Sequence, residues 1–331
     1  MTPNWFNELL SFEDKSSGRV SIVVTKKCNL RCAHCNVSEW LTARLEDNWC
    51  GASRISSFID RWMSETRKKT ISVHVIGGEA LTASDRLREI VDVLSPKHKI
   101  SLTTNLVHLP EDHEFLRPVN ISVSIDGLPS DHDKLRGPGN FKKTYKNLRT
   151  LTDGGFNVSV QACVPQDYFE HDRRRAIEFI AYMQYVGVKE SHVSLGTESS
   201  RDIVTDSTNI DTLHKNAPYS RPCCGYRYMT NFIVSPEGEL WNGYYHLWRP
   251  EFKIATIDDS IDKIREGYKR VIMNSHFAKD PKCLSCEALT GCWGLYCFNN
   301  FKYTHPETKP SDVCNQDLII ERYRNRKKKD S

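Results

Sequence analysis

Strand-like and helix-like segments alternate from about residue 19 to residue 200, and this rhythm predicts an α/β protein whose parallel strands are joined by crossover helices. Three observations carry the expectation. Six short runs are rich in β-branched residues, the stretches between them hold apolar residues at helical spacing, and clusters of Cys, Gly, Asn and Asp fall where the runs end.

The first run is residues 19–25, with Val20, Ile22, Val23 and Val24. A helix follows on Ile55, Phe58, Ile59, Trp62 and Met63, whose spacing puts them on one face. Residues 71–76 give the second strand, and Leu87, Ile90, Val91 and Leu94 the apolar face of the next helix. The third and fourth strands are residues 99–104 and 119–125. The fifth is 156–164, followed by a helix on Ala176, Ile177, Phe179, Ile180 and Met183, and the sixth is 190–195. Beyond residue 221 the rhythm changes: residues 232–241 read as a hairpin turning at Pro236-Glu237-Gly238. The expected organisation is an extension over 1–18, the α/β domain over 19–215, a cysteine-rich domain over 216–320 and a basic tail over 321–331.

A chain of 331 residues holds roughly two domains, and 39% hydrophobic residues is the fraction of a folded protein. The first residues, Met1-Thr2-Pro3-Asn4-Trp5, carry no basic segment leading into an apolar stretch, and no run approaches about eighteen apolar residues. A cytoplasmic protein with no membrane span is expected. In a reducing compartment the 12 Cys read as metal ligands or reactive thiols before they read as disulfides. The net charge of +4 is no sign of nucleic acid, because residues 321–331 hold six basic and two acidic residues and account for the whole excess. Such a tail reads as a solvated terminus.

The chemistry lies at the strand ends. Cys28-Asn29-Leu30-Arg31-Cys32-Ala33-His34-Cys35 follows the first strand, Gly77-Gly78-Glu79 the second, Thr103-Thr104-Asn105 closes the third, and Ser122-Val123-Ser124-Ile125-Asp126-Gly127 ends the fourth. In barrels of parallel strands that edge is where sites are built. Three thiolates on one short loop can hold three irons of a four-iron cluster and leave the fourth open. Zinc fits less well: it takes four ligands from paired C-x2-C hooks, whereas the loop offers three and its first gap is one residue too long.

The loop from Cys28 to Cys35 resembles the cluster loop of the radical S-adenosylmethionine (SAM) superfamily, and Gly77-Gly78-Glu79 resembles that family's GGE motif. The resemblance implies a partial (β/α)6 TIM-like barrel, open on one side, and an enzyme that cleaves SAM reductively to a 5′-deoxyadenosyl radical, which takes a hydrogen from substrate. It implies Cys28, Cys32 and Cys35 as ligands of a 4Fe-4S cluster whose unique iron chelates SAM. Gly77 and Gly78 are expected to let the backbone approach a ligand and to expose amides, and Glu79 to offer a carboxylate to the SAM ammonium. Ser124 and Asp126 share a side of their strand by its two-residue alternation and suit hydroxyl and carboxylate contacts to SAM; Asp126-Gly127 equally suits a turn. Arg136, in His132-Asp133-Lys134-Leu135-Arg136-Gly137, matches the arginine that pairs with the SAM carboxylate, and Asn105 is a candidate for the ribose edge.

The cysteines that return after residue 221 resemble the SPASM extension of radical SAM enzymes, which binds one or two auxiliary 4Fe-4S clusters. Cys283-x2-Cys286-x5-Cys292 matches its spacing, Cys297 is displaced by one, and Gly243 stands where the family has a further cysteine. By resemblance Cys283, Cys286, Cys292 and Cys314 complete one auxiliary cluster. Cys223, Cys224 and Cys297 leave a second with at most three thiolates, so that it is absent or open. In its absence Cys223 or Cys224 is either a packed side chain or a thiol able to return a hydrogen atom to a substrate radical, as an epimerase requires. Cys50 and Cys163 have no such context and read as structural.

The Asp-Gly, His-Asp and Arg-Gly sequence with Phe141 looks most like SPASM enzymes that modify ribosomally made peptides or mature sulfatases. A precursor peptide substrate is expected, with crosslinking, oxidation or epimerisation as the reaction and a flavodoxin or ferredoxin as electron donor. The 18 residues before the first strand are too few for a leader-binding domain, which leaves leader recognition to another surface or protein. The alternative within enzymes is a sugar or aminoglycoside dehydrogenase or epimerase. A different class is a zinc-stabilised nucleic-acid-binding module using the tail with Tyr226, Tyr228, Trp241, Tyr244 and Tyr245; aromatics at hairpins are more often core or substrate wall.

Overall fold

A computed structural model describes residues 17–35, 48–66, 68–164, 173–189, 192–197, 231–241 and 250–273, together with Lys282, Ser285 and Arg324. Cys223, Cys224, Cys283, Cys286, Cys292, Cys297 and Cys314 lie outside the described residues, as do Tyr226, Tyr228, Tyr244 and Tyr245 and, apart from Arg324, the basic tail. The chain divides into two compact units, one of residues 21–56 and 72–220, the other of 1–20, 57–71 and 221–331.

The first unit is built on parallel strands: β1 (Ser17–Val23), β2 (Thr70–Ile76), β3 (Lys99–Thr104), β4 (Val119–Ser124), β5 (Val158–Val164) and β6 (Val193–Thr197). They lie in sequence order, β6-β5-β4-β3-β2-β1, and each pair from β2–β3 to β5–β6 is parallel. Because crossovers between parallel strands are right-handed, a sheet in sequential order receives its helices on one face and curves away from them. The result is a partial barrel that does not close, with β6 at the edge. α1 (Ala52–Thr66) belongs to the second unit from residue 57 on, and the helices of the first unit are α2 (Ser84–Leu94), α3 (Pro129–Arg136), α4 (Asn140–Asp153) and α5 (Arg173–Tyr185).

Strand alternation sorts the side chains. Val73, Val75, Ile100, Leu102, Ile121, Val123, Val160 and Ala162 are at most 2% exposed, each contributing about 1.5–3 kcal/mol for a full-sized aliphatic. On the other face of the same strands Ser72, His74, Ser101, Thr103, Ser122, Ser124, Ser159 and Cys163 are half-buried and Gln161 is exposed. This face is polar across its width, and His74 Nε2 and Thr103 Oγ1 share a hydrogen bond of 2.8 Å on it.

The third and fourth strands match the sequence reading closely. β6 begins and ends later than expected, since its parallel pairing with β5 runs from Val193 through Gly196, which carries no strand signal of its own, to Thr197. In α4 the buried Phe141, Thr144, Leu148 and Leu151 form the inward stripe, while α3 buries one side chain, His132.

In the second unit β7 (Asn231–Val234) and β8 (Glu239–Trp241) form the expected hairpin. Its turn closes through Gly238 N–H to Ser235 C=O at 2.9 Å, with Gly238 at φ 85°. β9 (Lys253–Thr256) pairs antiparallel with β8, and α6 (Ile261–Met273) follows. Phe232 meets the stacked rings of Phe58 and Trp62 edge to face, with ring centroids 5.8 and 4.8 Å apart.

Candidate active site

Three loops at the C-terminal ends of β1, β2 and β3 are locked together by hydrogen bonds. Gly78 N–H donates to Thr25 C=O and Glu79 N–H to Lys27 C=O, both at 2.9 Å. A Cβ on Gly77 would lie 2.7 Å from Thr25 O, so glycine is required here by close approach to the β1 backbone. Two amides of the Gly77-Gly78-Glu79 turn are therefore spent on the neighbouring strand end.

Glu79 is 3% exposed. Its Oε1 accepts from Leu81 N–H at 3.0 Å and Thr104 Oγ1 at 2.7 Å, and its Oε2 from Asn105 N–H at 2.7 Å. Burial pushes its carboxyl above the usual range, opposed by these bonds and by the Arg136 charge. The carboxylate ties the second strand end to the third. Asn105 is equally committed: its Nδ2 donates to Asn29 Oδ1 at 2.9 Å, its Oδ1 accepts from Val107 N–H, and its C=O accepts from Thr144 Oγ1. The next residue, Leu106, holds φ 53°, a left-handed conformation costly for a branched side chain. It is held by Thr104 Oγ1, which accepts its N–H, and by Asn147 Nδ2, which donates to its C=O.

The cysteine loop folds on itself and onto α3. Cys28 Sγ accepts from Leu30 N–H at 3.4 Å, Cys35 N–H donates to Cys32 C=O at 3.2 Å, and Ala33 N–H donates to Leu135 C=O at 2.8 Å. Arg31 Nη1 caps Cys28 C=O and Leu30 C=O. Cys28, Cys32 and Cys35 are half-buried and form no disulfide. Burial pushes the Cys28 thiol up to about 11. The Cys32 thiol is raised by burial too, with Arg136 opposing the shift. Among the described residues no three His, Cys, Asp or Glu side chains are gathered as a ready metal site. Three undisulfided soft donors on one tied loop are nonetheless the donor set of an iron–sulfur centre, and the residues present fit one.

Beyond β4 the alternation expected to place Ser124 and Asp126 alike does not persist, because the strand ends at Ser124 and the chain turns at Gly127, φ 93°. Ser124 stays half-exposed and makes no side-chain hydrogen bond among the described residues. Asp126 is 0% exposed. Its Oδ1 accepts from Cys163 N–H at 2.8 Å, and its Oδ2 pairs with Arg136 Nε and lies 3.3 Å from His34 Nε2. Asp126 N–H donates to His132 Nδ1 at 3.2 Å, which fixes the ring as an acceptor there. Burial, with the Arg136 charge, lowers His132 to about 4, so the ring is neutral. Asp133 caps the start of α4 through the N–H groups of Gly139 and Phe141.

The structure thus gathers Cys28, Cys32, Cys35, Gly77, Gly78, Glu79, Asn105, Ser124, Asp126 and Arg136 at one strand edge. The sequence reading gave no role at the site to His34 or His132 and took Cys163 as structural. Their signals are position alone: a ring between two loop cysteines, a histidine one turn before Arg136, and a cysteine next to the end of β5, the strand beside β4.

Residues 22–180 match the family model described as the radical SAM superfamily. A GTP 3′,8-cyclase of Listeria monocytogenes is 29% identical over 224 residues, covering 60% of this chain and 66% of that enzyme. The radical SAM cyclopropyl synthase TigE of Paramaledivibacter caminithermalis is 21% identical over 359 aligned residues, 96% of this chain and 71% of that one. The crystal structure of Streptococcus suis SuiB bound to precursor peptide SuiA shares the fold, with TM-score 0.62 and 17% identity over 90% of this chain and 76% of SuiB. Residues 22–180 of this chain thus form a radical SAM domain.

Proposed function

We propose that this radical SAM enzyme modifies a peptide, holding the reacting segment against the polar face of β2–β5. The carrying observation is the chemistry of that face. It shows hydroxyls, one histidine, two amides and one thiol, and its lysine, Lys99, stands at the far, N-terminal edge of β3. Uncharged donors and acceptors suit the amides of a peptide, whereas a triphosphate calls for clustered cations. The peptide named in the SuiB structure supports the same reading.

Cys28, Cys32 and Cys35 would hold the 4Fe-4S cluster, which with SAM bound supplies the electron and the 5′-deoxyadenosyl radical for hydrogen abstraction. The chain's own groups do the positioning. The Arg136 side chain has one nitrogen, Nε, on Asp126 and makes no other hydrogen bond among the described residues, which leaves its terminal nitrogens to take the SAM carboxylate. Ser124 offers its hydroxyl from the end of β4. Glu79 and Asn105 brace the loops on which the thiols and the Gly77-Gly78 turn are carried. Cys283, Cys286, Cys292 and Cys314 form an auxiliary cluster, and a flavodoxin or ferredoxin delivers the electron.

Anaerobically reconstituted enzyme, SAM and dithionite, incubated with short peptides encoded beside the gene, should change the mass of one of them. A second reading, cyclisation of a nucleoside triphosphate, draws on the 29% identity with GTP 3′,8-cyclase. Consumption of GTP with every peptide unchanged would favour it over the peptide.

A further inference from the structure

We propose that Asp126 is a positioning residue, whose one buried carboxylate sets the Arg136 guanidinium and the cysteine loop relative to each other and makes no contact with SAM itself. The inference rests on the role given above to Arg136.

Both carboxylate oxygens are occupied. Oδ1 takes the Cys163 N–H from the end of β5, and Oδ2 takes Arg136 Nε from the last turn of α3 and neighbours His34 Nε2 of the cysteine loop. With 0% of the residue exposed, no ligand reaches the carboxylate. The carboxylate is itself fixed from behind, since the Asp126 amide is held by His132 Nδ1, another α3 residue. A second tie runs in parallel: Ala33 N–H, between two of the loop cysteines, donates to Leu135 C=O, one residue before Arg136. The segment from Asp126 to Arg136 therefore grips the cysteine loop by a side chain and by backbone, and the guanidinium that results is aimed with its two terminal nitrogens unspent. A carboxylate that orients a liganding group in this way commonly matters nearly as much as the group it orients.

The test is a double-mutant cycle on the dissociation constant of SAM, measured anaerobically by equilibrium dialysis on cluster-reconstituted protein, with melting temperature and iron per chain recorded for every variant. Arg136→Ala should weaken SAM binding about tenfold or more, the loss of a charged hydrogen-bond donor pair. Asp126→Asn should weaken it severalfold alone and add nothing once Arg136 is alanine. Should Asp126→Asn fail to fold, Asp126→Glu, which keeps the charge and shifts it by one methylene, completes the same cycle. Losses that multiply would overturn the inference alone, because Asp126 would then act on SAM independently of the guanidinium. An unchanged constant in Arg136→Ala would remove the assignment of Arg136, and the inference with it.

Discussion

Glu79 shows how one side chain decides the shape of this site. As a carboxylate it accepts at both oxygens, from Leu81 N–H and Thr104 Oγ1 at one and from Asn105 N–H at the other. Glu79→Gln keeps one acceptor and turns an amide NH2 toward another donor, leaving a buried N–H unmet at about 1–3 kcal/mol. That variant should melt several degrees lower in a thermal scan and cleave SAM more slowly at a temperature where it remains folded. His132 sets the acid limit. Its folded value of about 4 lies below the ordinary 6.5, so between them the unfolded chain binds the extra proton. Its contribution is whole above pH 6.5 and falls as pH drops toward 4, by about 3 kcal/mol at most. Its surroundings include Arg136 and His34, which oppose protonation, and Asp126 and Asp133, which favour it. The stability of His132→Gln, followed by denaturant midpoint against pH, should show a flatter slope across that window.

Elements were legible where pattern and packing agree. β3 and β4 could be read from β-branched runs because each buries one face and the neighbours run parallel. Strand alternation gave no sign that Asp126 is buried while Ser124 is half-exposed, since β4 ends at Ser124 and no periodicity reports where a strand stops. The Gly77-Gly78 turn was visible as glycine, but not that its amides and its missing Cβ serve the Thr25 backbone. The pairing of Asp126 with Arg136 and His34 was illegible because it joins β4, α3 and the cysteine loop in three dimensions. Gly267 makes a parallel case in α6: a Cβ there would lie 1.9 Å from Ile254 O of β9. Gly267→Ala must push the helix off the strand, at a cost of about 1–3 kcal/mol, and a lowered urea midpoint with unchanged slope would register it. A midpoint equal to that of the parent would show that the helix seats differently.

Among the described residues, strands β1 to β6 lie in sequence order, and the segments that follow β1, β2 and β4 and carry the thiols, glycines and arginine all rise at the same edge. Among the described residues no helix is long and apolar enough to cross a membrane. Central to the proposed function is that Cys28, Cys32 and Cys35 serve one iron–sulfur centre that reduces SAM. Anaerobic, reconstituted protein given dithionite and SAM provides the direct measurement, with methionine and 5′-deoxyadenosine quantified beside iron and sulfide per chain. Iron, sulfide and both products should appear in the parent, and Cys32→Ala should form neither product. Protein that binds no iron, or Cys32→Ala that still releases methionine, would contradict the account.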